Sequence, residues 1–441
     1  MLLTNLPDEI LECISNQLLT GDFLSFISTN WFFRNFSKRN AYIFLKRIFF
    51  LCRPPRPGGL FLKNVCSLKV KFSMFSKINP SVAIQSICLF NNLTLLSVKL
   101  NDHCISVFDR LNLSGFGILT KLRHLVLKSF CNKSLGFLTS IKWLTYLDIS
   151  NGDWTDLSPL SGLAYLEHLN INNCKGIVNF IPLGDCTNLK TLKARSTLIS
   201  NTSQFGALLD LVTIDLRETS VHETTGLSKL TKLTSIHLST KFYLVPRFFP
   251  CLNGVSIRYM NLKYCESIQC SREVFSTFVN LVFLDLSYCS IDSLDFLSKD
   301  TLQSLETIRL DFNYFNDPTP LAMLQRLVFI SLRGMRLDDA SVFSRCPALV
   351  YLDLRETNIL ANFPTIGFSR SIRHINMSFS RLDVDMLDAY LNSINSSNGS
   401  IEVVEVTGTL CASLFAFSYA NELQPFGVKF KNSSCFIERI S

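Results

Sequence analysis

The stretch Leu349-Val-Tyr-Leu-Asp-Leu-Arg-Glu-Thr-Asn-Ile359 has a near-copy at Leu211-Val-Thr-Ile-Asp-Leu-Arg-Glu-Thr-Ser-Val221. Both follow the pattern L-x-x-L-x-L-x-x-T-x-L, with Ile or Val in place of some leucines. The same pattern opens at Leu122, Leu144, Leu166, Leu189, Leu233, Leu281, Leu305, Leu327 and Ile372, and looser copies open at Val65, Leu93, Leu252 and Ile401. Most neighbouring full copies open about 22 residues apart, a spacing within the range of known repeat architectures. The chain is therefore built from tandem repeats.

This repeat resembles the leucine-rich repeat, in which one short strand and a return segment recur with the period seen here. The L-x-L portion predicts a parallel strand whose leucines point inward while the residues between them face outward. The resemblance implies an α/β solenoid, a leucine-rich-repeat horseshoe with short parallel strands on its concave face. The short period is similar to that of the protein-phosphatase-regulator class of these repeats. The ninth position, which holds Cys174, Cys289 and Asn313 among others, is expected to point inward and cap backbone groups.

The regular part, residues 61–410, is predicted to be the solenoid, followed by a C-terminal cap at residues 411–441. Regularity breaks in three places. The repeats that open at Val65 and Leu93 are longer than the rest and predict an adapted N-terminal end. The interval from Leu252 to Leu281 is also longer than the rest, which predicts an excursion over residues 259–278. The polar run at residues 392–400 predicts a loop.

Composition and charge limit the function classes. Apolar residues make up 47% of the 441 residues, yet no uncharged apolar run reaches the roughly 18 residues that a membrane span needs. The net charge of +8 belongs to residues 1–100, which hold 12 basic and 4 acidic side chains. A basic stretch with aromatic residues is compatible with nucleic acid or an anionic membrane. Because the basic residues alternate with apolar core positions, a solvated face is the favoured interpretation, with neither nucleic acid nor membrane as partner.

Cysteine usage indicates a reducing compartment. The chain has 15 cysteines, an odd number, without any C-x-x-C pair, and its first residues turn acidic at Asp8 instead of forming a basic leader. A cytoplasmic and/or nuclear location with buried, unreactive thiols is expected. An extracellular pattern-recognition ectodomain would need a leader and paired cap cysteines, which the sequence does not show.

Residues 1–50 show three short helix patterns, the first of which has a proline and acidic residues in its first turn. They resemble an F-box through Leu6-Pro7-Asp8-Glu9-Ile10-Leu11, Ile14, Leu18, Asp22-Phe23-Leu24 and Ser28-Thr29-Asn30-Trp31-Phe32. The resemblance implies a small three-helix F-box-like domain that docks on the Skp-type adaptor of a cullin-RING ligase. The adaptor-binding and core positions it implies are Leu6, Pro7, Ile10, Ile14, Leu18, Phe23, Leu24 and Trp31. Residues 51–60, rich in proline and glycine, predict a linker. A capping helix of the solenoid is the alternative for the first helix.

Outward residues of successive strands fall into columns on the predicted concave face. The column after the last strand leucine is basic at eight of fifteen positions, which include Arg258. The first column is rich in rings. These columns predict a substrate-binding surface with ring anchors and arginines: Arg195, Arg217, Phe283, Phe329, Arg333, Tyr351 and Arg355. Exposed aromatics beside arginine are typical of interface hot spots, and an acidic or phosphorylated protein substrate would suit the basic column. The alternative is a solvated lattice of ion pairs such as Asp215–Arg217 and Asp353–Arg355.

Catalytic chemistry is not indicated. His124 and His168 share a column but are separated by two strands, about 10 Å, which is too far for a common metal ion. No H-E-x-x-H, G-x-S-x-G, Walker or G-x-G-x-x-G motif occurs, so neither an enzyme, a cofactor nor a metal is expected. The main hypothesis is the substrate-recognition subunit of a cullin-RING (SCF-type) ubiquitin ligase. The alternative is a leucine-rich-repeat scaffold or phosphatase-regulatory protein without a ubiquitin-ligase role.

Overall fold

A computed structural model describes residues 66–72, 84, 87–88, 90–100, 112–239, 252–265, 268, 270–359, 361–381, 384–397, 400–409, 426–431 and 434–439. The predicted helical domain at residues 1–50, all eight predicted adaptor-binding positions and the predicted linker at 51–60 lie outside these described residues. The chain divides into two compact units. The first comprises residues up to 199 together with 204–211, and the second comprises residues 200–203 together with 212 onward.

The first unit is a stack of parallel strands, each followed by a return segment. Its strands are β1 Ser67–Phe72, β2 Leu95–Leu100, β3 His124–Lys128, β4 Tyr146–Asp148, β5 His168–Asn170 and β6 Thr191–Lys193. Each strand pairs in parallel with the next along the chain. The return segments contain 3₁₀ helices at Ser114–Ile118, Gly136–Ser140, Ser158–Gly162 and Ile181–Asp185. A further 3₁₀ helix, Ser203–Ala207, lies where the chain changes unit.

The second unit continues the same scheme. Its main parallel strands are β7 Thr213–Arg217, β8 Ser235–Ser239, β9 Tyr259–Asn261, β10 Phe283–Asp285, β11 Thr307–Arg309, β12 Phe329–Ser331, β14 Tyr351–Asp353, β16 His374–Asn376 and β17 Val403–Glu405. Short strands β13 Arg336–Leu337 and β15 Asn358–Ile359 form a separate parallel pair. Its 3₁₀ helices are Thr225–Lys229, Thr319–Met323, Ser341–Arg345 and Phe363–Phe368. The α-helices among its described residues are α1 Arg272–Phe275 and α2 Val384–Ser397.

The repeat leucines form the core of both units, as the spacing predicts. Leu122, Leu125 and Leu127 of one repeat are 0% exposed, and so are Leu349, Leu352 and Leu354 of another. Burying a leucine side chain contributes roughly 1.5 to 3 kcal/mol. Because each repeat buries its leucines against its neighbours, stability accumulates along the stack instead of in one central core.

The ninth position of the repeat caps backbone groups, also as predicted. The hydroxyls of Thr197 and Thr219 donate to the carbonyls of Ala194 and Leu216, at 2.7 and 2.6 Å. In other repeats the thiols of Cys174 and Cys289 donate to the carbonyls of Ile149 and Leu262, which directly follow β4 and β9, at 3.2 and 3.1 Å. Burial raises the pKa of the Cys174 thiol to about 12, and it raises that of Cys289 too. Both thiols are therefore structural donors, as expected.

One repeat opens at a different residue from the one predicted. In β9, Met260 pairs with Ile236 on one side and with Leu284 on the other, so it is the inward strand residue. The repeat consequently opens at Ile257 and not at Leu252. Val255, which would be an inward leucine position in the predicted register, is 61% exposed. The predicted excursion over residues 259–278 is wrong, since it begins with a regular strand.

The change of register also changes which residue of this repeat belongs to the basic column, the position after the last strand leucine. Arg258 precedes β9, and Lys263 takes the position after the last strand leucine in this repeat. The basic column therefore keeps its charge at this strand but gains a lysine in place of an arginine.

Most of the polar run predicted as a loop, residues 392–400, is helical. Residues 392–397 belong to α2, because Leu387, Tyr390, Leu391 and Ile394 recur at helical spacing and are all buried. After β17 come β18 Phe426–Lys431 and β19 Ser434–Arg439, an antiparallel hairpin within the segment predicted as the cap. β19 pairs antiparallel with β17. No helix among the described residues is long and apolar enough to cross a bilayer.

Candidate protein-binding surface

Aromatic side chains line the strand face of the second unit, which is the surface formed by the outward residues of its strands. We use the name ring row for the rings at the first outward strand position: Tyr259, Phe283, Phe329, Tyr351 and His374. Phe329 and Tyr351 stack with ring centroids 5.1 Å apart, and His374 stacks on Tyr351 at 6.1 Å. Tyr259 and Phe283 contact each other at 6.5 Å. Parallel pairing in register places these rings side by side, which is why a column in the sequence becomes a row in space.

The ring row has a gap at Thr307, and Arg309 fills it. β11 contributes Thr307 at the ring position, and this side chain is too small to stack on its neighbours. The Arg309 guanidinium carbon lies 5.9 Å from the Phe283 ring centroid and 5.5 Å from that of Phe329. Both distances are those of cation–π contacts. Arg309 is exposed, whereas the phenylalanines are half-buried and not bare as the sequence predicts.

A second set of rings lies beyond the strand ends. We call Tyr264, Tyr288 and Phe312 the edge rings. Their centroids are 4.7 and 4.6 Å apart in succession. All three residues have positive φ, at 65°, 58° and 52°. Lys263 lies over the two tyrosines at 5.0 and 5.2 Å, and Arg333 lies 5.5 Å from the Phe312 centroid. The second unit therefore has two clusters of rings, and cationic side chains contact the rings of each cluster.

All three predicted binding arginines of the second unit, Arg217, Arg333 and Arg355, are paired with carboxylates. Arg217 donates through Nε and Nη2 to Asp215 at 2.9 and 2.7 Å. Arg355 makes the same two-point contact with Asp353. These are the Asp–Arg pairs that the alternative interpretation names, so each of these two arginines already has a carboxylate partner. The cause is strand geometry: residues two apart lie on the same side of a strand.

The third paired arginine is Arg333, whose partner comes from the next repeat. Its Nε and Nη2 donate to Glu356 Oε1 at 3.1 and 2.5 Å. Both side chains are more than a third exposed, so this ion pair contributes at most about 1 kcal/mol.

Buried carboxylates lie beneath the strand face. Asp285 and Asp353 are 3% and 2% exposed. Burial raises the pKa of Asp311, and the negative charges of Asp353 and Asp285 raise it further. The hydrogen bonds that Asp311 accepts from the Ser331 hydroxyl and the Arg333 backbone N–H act in the opposite direction. For Asp215, burial works toward a higher pKa, but the hydrogen bonds and charge of Arg217 hold the pKa below its usual range. Each carboxylate is thus fixed by neighbours on its own or the adjacent strand.

The seventh predicted binding residue, Arg195, belongs to the first unit, where its backbone N–H donates to Asn172 Oδ1 at 2.8 Å. The first unit has its own ring stack, with His124 on Tyr146 at 4.0 Å and Tyr146 near His168 at 6.1 Å. Burial, followed by the charge of Lys69, lowers the pKa of His124. Within the part of the chain that the structure describes, no group of three His, Cys, Asp or Glu side chains could hold a metal ion.

The structure thus brings together part of the predicted set. Phe329 and Tyr351 stack, and Phe283 joins them through Arg309. Arg217 on β7 lies three strands from Phe283 on β10. Sequence reasoning missed Tyr259 and Lys263 because of the wrong repeat register. It also left Arg309 and the edge rings out of the predicted binding residues. The signal for Arg309 was Thr307, a small residue at the ring position two residues before it.

The comparisons with known proteins agree with this fold. The structure is similar to that of a leucine-rich-repeat protein from Leptospira interrogans, with a TM-score of 0.60 and 16% identity over 83% of this chain and 98% of that one. It is also similar to an internalin from Listeria monocytogenes, with a TM-score of 0.52 and 17% identity over 75% of this chain and 86% of that one. No family model matches the chain.

One curated relative is an adenylate cyclase from Schizosaccharomyces pombe, which is 26% identical over 306 residues. The match covers 67% of this chain, and it spans only 17% of that protein's length. With the strand registers and the structural neighbours, the fold class is defined: this chain has the leucine-rich-repeat fold.

Proposed function

We propose that the chain is a protein-binding receptor that holds a partner on the strand face of its second unit. The observation that carries this proposal is the row of stacked rings interrupted by one exposed arginine. Half-buried rings fixed by stacking lose little side-chain entropy on binding, and Tyr and Arg are enriched in hot spots. The solved structures similar to this chain include leucine-rich-repeat proteins, and their fold supports a long outward surface of this kind.

The test is partner capture by the full chain, analysed by mass spectrometry, in parallel with a Phe329→Ala/Tyr351→Ala variant. Removing two stacked rings is expected to abolish capture of the partners that use this surface. A matched variant, Trp143→Ala/Tyr165→Ala, removes an exposed stack at 4.9 Å in the first unit and should leave capture unchanged. Equal capture by all three proteins would refute the proposed surface.

The finer proposal is that the receptor belongs to a cullin-RING (SCF-type) ubiquitin ligase and is not itself an enzyme. It rests on the F-box resemblance between Leu6 and Trp31, with a Skp-type adaptor as the second partner and a cytoplasmic and/or nuclear location. Co-purification with a Skp adaptor tests it. The double variant Pro7→Ala/Ile10→Asp should lose the adaptor while retaining partners of the strand face.

The second candidate is a leucine-rich-repeat scaffold or phosphatase-regulatory protein. The short repeat period, about 22 residues in most intervals, supports it, because this period is similar to that of the phosphatase-regulator class. Failure of the wild-type chain to capture any Skp adaptor, together with ring-dependent capture of other proteins, would favour the scaffold.

A further inference from the structure

Arg309 differs from the three predicted binding arginines on the strand face of the second unit. Its side chain is exposed and touches two rings, yet it has no carboxylate partner and no hydrogen-bond acceptor among the described residues. By contrast, Arg217, Arg333 and Arg355 already bind carboxylates. The five N–H groups of Arg309 therefore face solvent from a position that the flanking rings restrict.

The rings on either side give this position an apolar frame. Phe283 and Phe329 belong to β10 and β12, on the two strands that flank β11. A ligand group that reaches Arg309 contacts both rings, which reduces the water around the guanidinium. Electrostatic attraction is stronger where water is displaced, so an anion gains more here than at an isolated surface arginine.

The positive charge of Arg309 selects a negative ligand group, and the aspartates nearby limit the size of its charge. Asp285 lies opposite Arg309 in the strand register, and Asp311 lies two residues further along the chain from Arg309. Burial raises the pKa of Asp311, with further contributions from the charges of Asp353 and Asp285. This negative background opposes a phosphate, which carries nearly two charges, more than a carboxylate, which carries one.

The dimensions indicate an extended occupant. The ring row runs across six strands from Tyr259 to His374. Five steps of about 4.8 Å make about 24 Å, the length of an extended segment of about seven residues. A carboxylate near the middle of such a segment lies within reach of Arg309, and the residues beside it lie on the rings.

We propose that Arg309 recognises a carboxylate, an Asp or Glu side chain in an extended segment of the partner, whose flanking apolar residues pack on Phe283, Phe329 and Tyr351. This rests on the proposed function, because it names the chemistry recognised at the same surface. It replaces the predicted basic column as the source of anion recognition.

The experiment uses a phage-displayed library of random peptides of about ten residues, selected on the full chain. Enriched peptides are then synthesised in three forms, with Asp, Asn or phosphoserine at the selected acidic position. Their dissociation constants are measured by fluorescence anisotropy against wild type, Arg309→Gln, Phe329→Ala and Arg326→Gln. Arg326 is the matched control, an exposed arginine of the same unit that lies outside the strands and has no ion-pair partner among the described residues.

The expected result is enrichment of peptides with an acid beside apolar residues. Charged hydrogen bonds of this kind are worth tenfold or more in affinity, so Arg309→Gln or Asp-to-Asn in the peptide should each weaken binding by about that factor. The Asn form of the peptide should bind Arg309→Gln only slightly more weakly than either single change predicts alone. Arg326→Gln should leave the dissociation constants unchanged.

Other results overturn the inference in distinguishable ways. Peptides that lose affinity with Phe329→Ala but not with Arg309→Gln refute carboxylate recognition and leave the proposed surface intact. Tighter binding of the phosphoserine form refutes the choice of a singly charged anion. Peptides insensitive to both variants, or a library without binders, overturn this inference, whereas the proposed surface is refuted by unchanged partner capture in Phe329→Ala/Tyr351→Ala.

Discussion

Asn313 should be the most costly residue to remove from the ninth-position column. Its side-chain oxygen accepts from the N–H groups of Cys289 and Ile291 at 3.1 and 3.0 Å. Its amide donates to the carbonyls of Leu286 and Leu310 at 2.9 and 2.8 Å. Asn313→Ala leaves these four backbone groups without their partner. At about 1 kcal/mol for each hydrogen bond, we expect a loss of about 4 kcal/mol in the free energy of unfolding.

Thr219 provides the matched control. It occupies the same position of another repeat and has nearly the same exposure, 6% against 7%. Its hydroxyl donates one hydrogen bond, to the Leu216 carbonyl at 2.6 Å. Thr219→Ala should therefore cost about 1 kcal/mol.

The assay combines urea unfolding of the full chain with hydrogen exchange. Because repeats contact mainly their neighbours, the loss at Asn313 should be local. The amides of Cys289 and Ile291 should exchange faster in Asn313→Ala, while amides of the first unit keep their wild-type rates. An Asn313→Ala variant that costs no more than Thr219→Ala would refute the reasoning, since four capped groups would then be worth no more than one.

Three further predictions concern other positions. Gly334 has φ of +70°, and an added Cβ would lie 2.3 Å from the Phe312 ring. Gly334→Ala should therefore lower the free energy of unfolding by at least about 1 kcal/mol. The control is Gly162→Ala, because an added Cβ there meets open space. Tyr390 is fully buried and its hydroxyl has no hydrogen-bond partner in the described structure, so Tyr390→Phe should raise the free energy of unfolding by about 1 kcal/mol; a decrease would contradict this. Native alkylation at pH 8, mapped by peptide mass spectrometry, should label exposed Cys66 well before the buried cysteines. Equal labelling rates would contradict the effect of burial, which raises the pKa to about 12 at Cys174, Cys186 and Cys346.

The repeat fold is predictable because each repeat must bury the same positions. Leucine spacing fixes which residues point inward, and the strands follow without knowledge of distant contacts. The exception at Leu252 has a physical reason. Leu252, Val255 and Ile257 fit the pattern as well as Ile257, Met260 and Leu262 do. Only the interval distinguishes them, since an opening at Ile257 divides the distance from Leu233 to Leu281 equally, whereas an opening at Leu252 divides it into a short and a long repeat.

The candidate surface was predictable only in part. A column in the sequence shows which rings share a face, and Phe329 and Tyr351 indeed stack. It does not show which charges neutralise each other, because that depends on side-chain reach. Arg355 turns back to Asp353 on its own strand, whereas Arg333 reaches forward to Glu356 of the next repeat. Arginines with the same column position therefore differ in their partners.

The small residue at Thr307 explains why Arg309 remains available. Phe283 and Phe329 lie two strands apart, about 10 Å, which is too far for their rings to touch. A large residue at position 307 would close the row and leave no room for another group. Threonine instead leaves a space that the guanidinium of Arg309 enters, where ring contacts compete with the pull of Asp285 on the adjacent strand. The same gap that interrupts the ring row thus keeps one arginine exposed, unpaired among the described residues and held between two rings, which is the arrangement that a partner's carboxylate requires.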